Sequence, residues 1–315
     1  MSILVTGGTG FIGAEIVHML VEQGAGPVHV AHRSGNLGRL SELTDRINLV
    51  KLDLSDVELT ERVVAEIAPK QIYHFGAILT GPGEQDPPAL LHANAIGFIK
   101  LIEAARVAGT EQMIFASSIG TYGRDLDAGP ITDRSLQRPS SVYGVTKVFG
   151  ENLGAYYRAR YGFDFRGLRY PSIVGPGVTT WSLAQYTSWM IEKPILGDPF
   201  EVWVHPDSVI PLLYYKDAAR AAIDLAAAPS ESIKAINYLV DGVGASPDAG
   251  AIADAVRAKV PGANITFDAK AGAGRALRVD DTTARNEWGW NPAYDLDAMI
   301  DDMIKELRSA SPKPA

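Results

Sequence analysis

The chain of 315 residues contains no cysteine, so it has no disulfide, no thiolate metal site and no cysteine nucleophile. No apolar run is long enough to span a bilayer. The six histidines are scattered, with no His-Glu-x-x-His or His-x-His grouping, and no metal centre is expected. Positive charge is in deficit. Lys and Arg number 29 against 37 Asp and Glu, a net charge of −8. That argues against a general nucleic-acid or membrane binder, although a local basic pocket stays possible. The first strand-like pattern opens at Ile3, which leaves no room for a signal peptide. The expected location is cytoplasmic, and the absence of cysteine is compatible with it.

What is present is glycine in one telling place. Ile3, Leu4 and Val5 read as a buried strand, Gly7, Gly10 and Gly13 follow at three-residue spacing, and Ala14–Glu22 carries Ile16, Val17, Leu20 and Val21 on one helical face. Strand, glycine turn and helix open a dinucleotide-binding βαβ unit. Gly7 permits the tight turn, Gly10 lets backbone N–H groups approach a pyrophosphate, and Gly13 lets helix and strand pack closely. The helix N-terminus supplies partial positive charge for the anion.

Further strands are expected at 28–31, 47–52, 71–75, 112–116 and 165–170, with helices at 58–67, 89–108 and 141–160 between them. The alternation predicts an α/β fold, a Rossmann doubly wound parallel sheet with ligands at the carboxyl ends of its strands. From Pro171 the composition shifts to Pro, Gly and aromatics, which reads as a smaller substrate-binding lobe over that edge. Helices at 217–228, 248–259 and 296–308 and strands at 236–240 and 265–268 complete the chain, with 309–315 as a frayed tail. The expected division is a nucleotide-binding domain of 1–172 plus 207–241, and a substrate lobe of 173–206 plus 242–315.

Tyr143 and Lys147 stand four residues apart on one helix, one above the other. A free phenol has a pKa of about 10 and is a poor base at neutral pH. A neighbouring ammonium favours the phenolate, so Tyr143 becomes a candidate acid/base for an alcohol or carbonyl oxygen. Ser118, just beyond a strand, can hydrogen-bond the same oxygen. Ser118, Tyr143 and Lys147 are the candidate catalytic set.

These stretches together (GGTGFIG at 7–13, LDLSD at 52–56, IYHFGA at 72–77, Asn94-Ala-Ile-Gly97, FASSIGTYG at 115–123 and Tyr143-x-x-x-Lys147) resemble the extended short-chain dehydrogenase/reductases, which include the sugar-nucleotide epimerases and dehydratases. Within that group, the segments at 167–171, 179–180, 209–217, 279–290 and 295–303 are similar to the short-chain type of L-threonine 3-dehydrogenase. The resemblance implies a bound NAD(P) and a Ser/Tyr/Lys catalytic set. It implies cofactor contacts from Gly7, Gly10, Phe11, Ile12, Gly13, His32, Arg33, Tyr143 and Lys147. It places Asp53 and Leu54 by the adenine, Ala77 by the ribose and nicotinamide, Asn94 on the fourth helix, and Tyr170, Pro171 and Ile173 beside the nicotinamide. The substrate side would comprise Ser117, Ser118, Tyr143, Thr179, Thr180 and Trp181. The helices at 89–108 and 141–160 match those of a homodimer interface in the family, with Ile96, Ile99, Val148 and Tyr156 at its seam.

Two departures matter. An acidic residue suited to NAD usually follows the second strand in the threonine-dehydrogenase type, whereas here His32 and Arg33 stand there. Arg33 offers a planar fork of donors to a 2′-phosphate, so NADP is favoured over NAD. The family's Thr-Thr-Asp-Tyr is here Thr179-Thr180-Trp181-Ser182. Between Pro171 and Tyr215 the only firm cation is Lys193, so a small or aromatic substrate is favoured over a nucleotide diphosphate. The expected function is therefore an NAD(P)-dependent oxidoreductase interconverting a secondary alcohol and a ketone, on a hydroxy acid, amino acid or similar small molecule. The alternatives are an epimerase or dehydratase with tightly held NAD and a silent dinucleotide-sensing scaffold.

Overall fold

The computed structural model describes residues 1–310 except 124, 127, 128, 245 and 275. In chain order its elements are β1 (Ile3–Thr6), α1 (Phe11–Glu22), β2 (Val28–His32), β3 (Asn48–Lys51), α2 (Val57–Ile67), β4 (Gln71–His74), α3 (Thr80–Gly83), α4 (Pro87–Leu91), α5 (Gly97–Val107), β5 (Gln112–Ser118) and α6 (Val142–Tyr161). There follow β6 (Asp164–Tyr170), β7 (Ser172–Val174), α7 (Tyr186–Ile195), β8 (Phe200–Val202), β9 (Leu212–Tyr214), α8 (Tyr215–Ala227), β10 (Asn237–Leu239), α9 (Ala249–Lys259), β11 (Ile265–Phe267), α10 (Thr282–Trp288) and α11 (Leu296–Ala310). Short 3-10 turns occupy Gly38–Leu43 and Ile119–Thr121.

The main sheet has the order β3-β2-β1-β4-β5-β6-β10, and every neighbouring pair is parallel. The order reverses at β1, which lies between β2 and β4. In such a sheet this reversal opens a crevice at the carboxyl ends of the strands. One face is covered by α1 and α8, whose alanines 218, 219, 221 and 222 are fully buried and let the two helices lie close. On the other face, α2, α5 and α6 pack over Phe98, Phe115 and Phe165. Each of these phenylalanines, removed from water, stabilises the fold by roughly 2–3 kcal/mol. A further core joins Tyr186, Met190 and Ile191 of α7 to Ile252 of α9 and Met299 and Ile300 of α11. The two small parallel pairs, β7 with β9 and β8 with β11, belong to this region.

Several expected boundaries move. The helix starts at Phe11 rather than Ala14, which brings the glycine turn onto its first turn. β2 includes His32 and β5 includes Ser117 and Ser118. The single helix expected over 89–108 is three pieces: α4, a π-turn at His92–Ile96, and α5. The widened turn places Asn94 inward, where its amide bonds both backbone groups of Ile78. Residues 309 and 310 continue α11, and 311–315 of the expected tail lie outside the described residues.

Candidate active site

Beneath the carboxyl ends of the main sheet lies a cleft of ≈ 1460 Å³. Every sequence-nominated site residue except Asn94 lines it. Asn94 is buried behind the wall. Its Oδ1 accepts from the Ile78 N–H at 2.8 Å, and its Nδ2 donates to the Ile78 carbonyl at 2.9 Å and the Thr146 hydroxyl at 3.4 Å. It therefore ties the loop after β4 to α6, one residue from Lys147, and its side chain is not a wall of the cleft.

At one end of the cleft stands the glycine turn. Gly7 has φ +67°, and a Cβ there would lie 2.6 Å from the backbone of Phe75 and Gly76. A Cβ on Gly13 would meet the Gly7 carbonyl oxygen at 2.3 Å. Gly13 is thus required by the turn's own packing, and Gly7 by its positive φ and the backbone after β4. Gly10 is the N-cap of α1 in extended geometry, no side chain caps this helix end, and its first turn carries no acidic residue. The leading N–H groups of α1 are left for an anion. The residues fit a dinucleotide pyrophosphate by this cradle and this bare helix end.

Beside that end, His32 Nδ1 accepts from the Gly35 N–H at 3.1 Å, and Asn36 Oδ1 from the Gly38 N–H at 3.0 Å. These bonds fix the loop that carries Arg33. Asp53 stands near it across the cleft. Burial raises its carboxyl, but bonds from Ser55 and the charge of Arg33 outweigh this and hold it below its ordinary value.

The other end is built on β5 and α6. Tyr143 and Ser118 come together because Gly144, the next residue, lets α6 rest on the turn after β5; a Cβ there would lie 2.2 Å from the Gly120 carbonyl oxygen. The α6 N-terminus is closed by side chains. Ser141 Oγ accepts from the Gly144 N–H at 3.0 Å, and Glu84 Oε1 accepts from the N–H of Val142 at 2.8 Å and of Tyr143 at 3.5 Å. Ser118 Oγ accepts from the Gly120 N–H at 3.0 Å, and this hydroxyl and the Tyr143 ring lie side by side against Gly120.

Burial pushes the Tyr143 phenol up to about 12, with the neighbouring Ser118 hydroxyl pulling the other way. The expected lowering by Lys147 is absent in the chain alone. The ammonium sits 5.4 Å over the Tyr143 ring and 4.9 Å over that of Phe115, and it donates to the Ala116 carbonyl at 2.7 Å. Burial brings Lys147 itself down to about 8, opposed by the charge of Glu151 one turn on.

Ser117 differs from its neighbour. Adjacent strand residues point to opposite faces. The residue is 3% exposed, and its hydroxyl donates to Glu151, which also receives Arg169 Nη2 at 2.7 Å. Its hydroxyl is committed to that network and not to the cleft.

The remaining wall comes from α3 and the segment before α7. Leu79, Thr80 and Gly81 face Thr179, Thr180, Trp181, Ser182 and Gln185. A Cβ on Gly81 would sit 2.6 Å from the Trp181 carbonyl oxygen, so the two loops are in close contact. Trp181 is more than half exposed, whereas Gln185 is buried with its Nε2 unpartnered. Sequence reasoning missed Glu84, Thr80, Gln185 and Arg39. A clue existed for the second alone, in the Thr-Gly-Pro-Gly turn after a strand.

Among the described residues, no group of three or more His, Asp or Glu could hold a metal ion, and no helix is long and apolar enough to cross a membrane. The model of the NAD dependent epimerase/dehydratase family matches residues 3–240. The chain belongs to that family. It is an NAD(P)-dependent oxidoreductase of the extended short-chain dehydrogenase/reductase type. It is similar to the mitochondrial L-threonine 3-dehydrogenase of Bos taurus, 29% identical over 261 residues, covering 80% of this chain and 68% of the relative. Two solved structures are also similar. A monomeric L-threonine 3-dehydrogenase from a metagenome database has a TM-score of 0.87 at 28% identity, over 98% of this chain and 99% of that one. An L-threonine dehydrogenase from Cupriavidus necator, in its holo form, has a TM-score of 0.84 at 28% identity, over 96% and 99%.

Proposed function

We propose that this family member is a dehydrogenase interconverting a secondary alcohol and a ketone on a compact β-hydroxy acid or β-hydroxy amino acid, with L-threonine the first substrate to test. The observation that carries the reading is the meeting of Ser118 and Tyr143, beside Lys147, in the same cleft as the bare end of α1. The names of the similar proteins support it. The glycine turn and the start of α1 would hold the nicotinamide dinucleotide, which would supply the hydride acceptor or donor. Tyr143 holds and moves the proton of the substrate oxygen, and Ser118 orients that oxygen. Lys147, drawn down by burial, supplies positive charge beneath the Tyr143 ring.

Apart from Lys147, the substrate end is polar and uncharged. Thr80, Thr179, Thr180, Ser182 and Gln185 line it, and among the described lining residues Lys147 is the cation there. A nucleotide diphosphate calls for arginines or lysines that this end does not offer. A small substrate would instead satisfy the unpartnered Gln185 amide, recovering the cost of burying it. The lobe of 173–206 plus 242–315 is the substrate cover in this reading, and the Rossmann part the cofactor holder. The test is the growth of reduced-cofactor absorbance with L-threonine, 3-hydroxybutyrate and a UDP-sugar as separate substrates. Reduction with one of the first two supports the reading. Tight cofactor retention with a changed UDP-sugar and no net reduction would replace it by the epimerase.

For the cofactor, NADP(H) is the preferred form in this proposal. Arg33 is exposed at the cleft edge on a loop pinned by His32 and Asn36, and no carboxylate stands at the end of β2. The neighbouring Asp53 weakens this preference without removing it. Comparing kcat/KM for the two cofactors in wild type and Arg33→Ala decides it, and an NAD preference untouched by the substitution would refute it. A homodimer through α5 and α6 is proposed as well. Ile96 and Tyr156 are exposed, and Ile99 and Val148 are partly so. A similar protein described as monomeric makes light scattering at micromolar concentration the necessary check.

A further inference from the structure

Arg39 belongs to none of the glycine, serine or Tyr-x-x-x-Lys motifs, yet it lines the cleft. It sits in the 3-10 turn Gly38–Leu43, which is riveted into the core by Leu40 and Leu43. Its carbonyl is bonded to His18 Nε2 of α1 at 2.9 Å, so the backbone beneath the side chain is fixed. The guanidinium lies 4.9 Å from the ring centre of Phe11 and 5.1 Å from that of Tyr215, and these two rings stack on each other at 5.0 Å. Its Nη2 donates to the Pro176 carbonyl, next to Gly177 of the cleft wall. No other hydrogen bond uses this guanidinium among the described residues, and it has no carboxylate partner within ion-pair distance there. An arginine held flat by two aromatic faces keeps most of its donors pre-aimed and little of its entropy to lose. Phe11 is the first residue of α1, so these donors stand at the uncapped helix end.

We propose that Arg39 is the clasp of the dinucleotide cleft: its free N–H groups hold the cofactor's pyrophosphate at the start of α1, while its bond to Pro176 ties the substrate wall over the bound dinucleotide. The proposal rests on the dinucleotide reading of the cleft. It assigns Arg39 a duty distinct from that of Arg33, which stands toward the adenosine ribose. The two make different demands on the ligand. A pyrophosphate reader treats NADH and NADPH alike and also reads ADP-ribose, whereas a 2′-phosphate reader separates NADPH from the other two.

The experiment is a fluorescence titration of NADH and NADPH, with ADP-ribose as competitor, on wild type, Arg39→Ala and Arg39→Lys. Dissociation rates are followed by stopped flow and folding by melting temperature. Arg39→Ala is expected to weaken all three ligands by similar factors, roughly tenfold to a hundredfold, the scale of hydrogen bonds to a charged group. The loss should appear as faster release, with a melting temperature near that of wild type. Arg39→Lys should recover part of the affinity, since charge returns without the planar fork. A loss confined to NADPH, or unchanged affinity for all three ligands, would overturn the proposal. If wild type bound neither NADH nor NADPH, the dinucleotide reading itself would fall, a result separable from either of those.

Discussion

Among the helix N-termini at the cleft, those of α1 and α6 are finished in opposite ways. That of α1 begins at Gly10, carries no capping side chain and has no acidic residue in its first turn. That of α6 is closed twice, by Ser141 and by the carboxylate of Glu84 arriving from the segment after α3. A helix end with free N–H groups and partial positive charge attracts an anion, whereas one already satisfied is a rigid mount. The first end suits a diphosphate, and the second holds Tyr143 in place. The difference teaches that one physical feature, the four orphan donors of a helix start, serves binding where it is left open and positioning where it is filled.

The comparison can be sharpened at the mounted end first, where the largest effect is expected. Tyr143→Phe keeps the ring packing and removes the transferable proton. Turnover should fall on the order of a hundredfold or more, while NADH affinity stays near wild type. Steady-state rates beside a fluorescence titration check it, and near-full turnover would remove Tyr143 from its assigned role.

The pH dependence comes next. A phenol pushed up to about 12 is almost wholly protonated at neutrality, so alcohol oxidation, which needs the base, should rise with pH from 7 by up to about tenfold per unit. The rise should flatten above the region where Lys147, drawn down to about 8, loses its proton. Ketone reduction should not share the rise. The stability sign follows from the same shift. The Lys147 pKa is lowered on folding, so the burial penalty is present in full below about 8 and is relieved as pH rises toward the ordinary lysine value. Initial rates in both directions across that range, with melting temperatures, test both statements.

A smaller effect is expected at Glu84. Glu84→Gln keeps an acceptor for the α6 N–H groups but removes the charge that complements the helix end. It should cost about 0.3–1 kcal/mol of stability and lower kcat roughly twofold to fivefold, with cofactor affinity unchanged. A selective loss of cofactor affinity would show that the two helix ends do not have separate duties.

How much of this was legible in the sequence follows from the range of the interactions involved. β1, the glycine turn and α1 are contiguous, and Gly10 and Gly13 are demanded by contacts within about one turn, whereas the space at Gly7 is set by Phe75 and Gly76 after β4. The pair Tyr143 and Lys147 is likewise a local, one-turn relation. Ser118 alone entered the catalytic set, but both serines were placed at the substrate side; once the strand is seen to include them, the alternation of faces separates them. Asn94 was legible as a residue but not in its action, because the π-turn that aims it at Ile78 has no signature in the local apolar spacing. Glu84 and Arg39 were invisible. Each acts on a group far along the chain, Val142 in one case and Pro176 in the other, and only the folded arrangement of the loops brings them there. Over 173–206 the lobe was read from composition, because β8 is a three-residue strand whose partner, the expected strand at 265–268, lies far along the chain.

The most direct test of the two-ended account converts one end into the other. Asp is a favoured N-cap, and Gly10 already has the extended geometry of that position, although a Cβ there would lie 3.0 Å from the Gly7 carbonyl oxygen. Gly10→Asp would fill the bare end of α1 with a carboxylate, and Gly10→Ala is the control for crowding alone. NADH titration and melting temperature are measured for both beside wild type. The account predicts that Gly10→Asp loses affinity by roughly tenfold to a hundredfold more than Gly10→Ala, at a melting temperature no lower than that of the Ala variant. Equal NADH affinity in the Asp and Ala variants would contradict it.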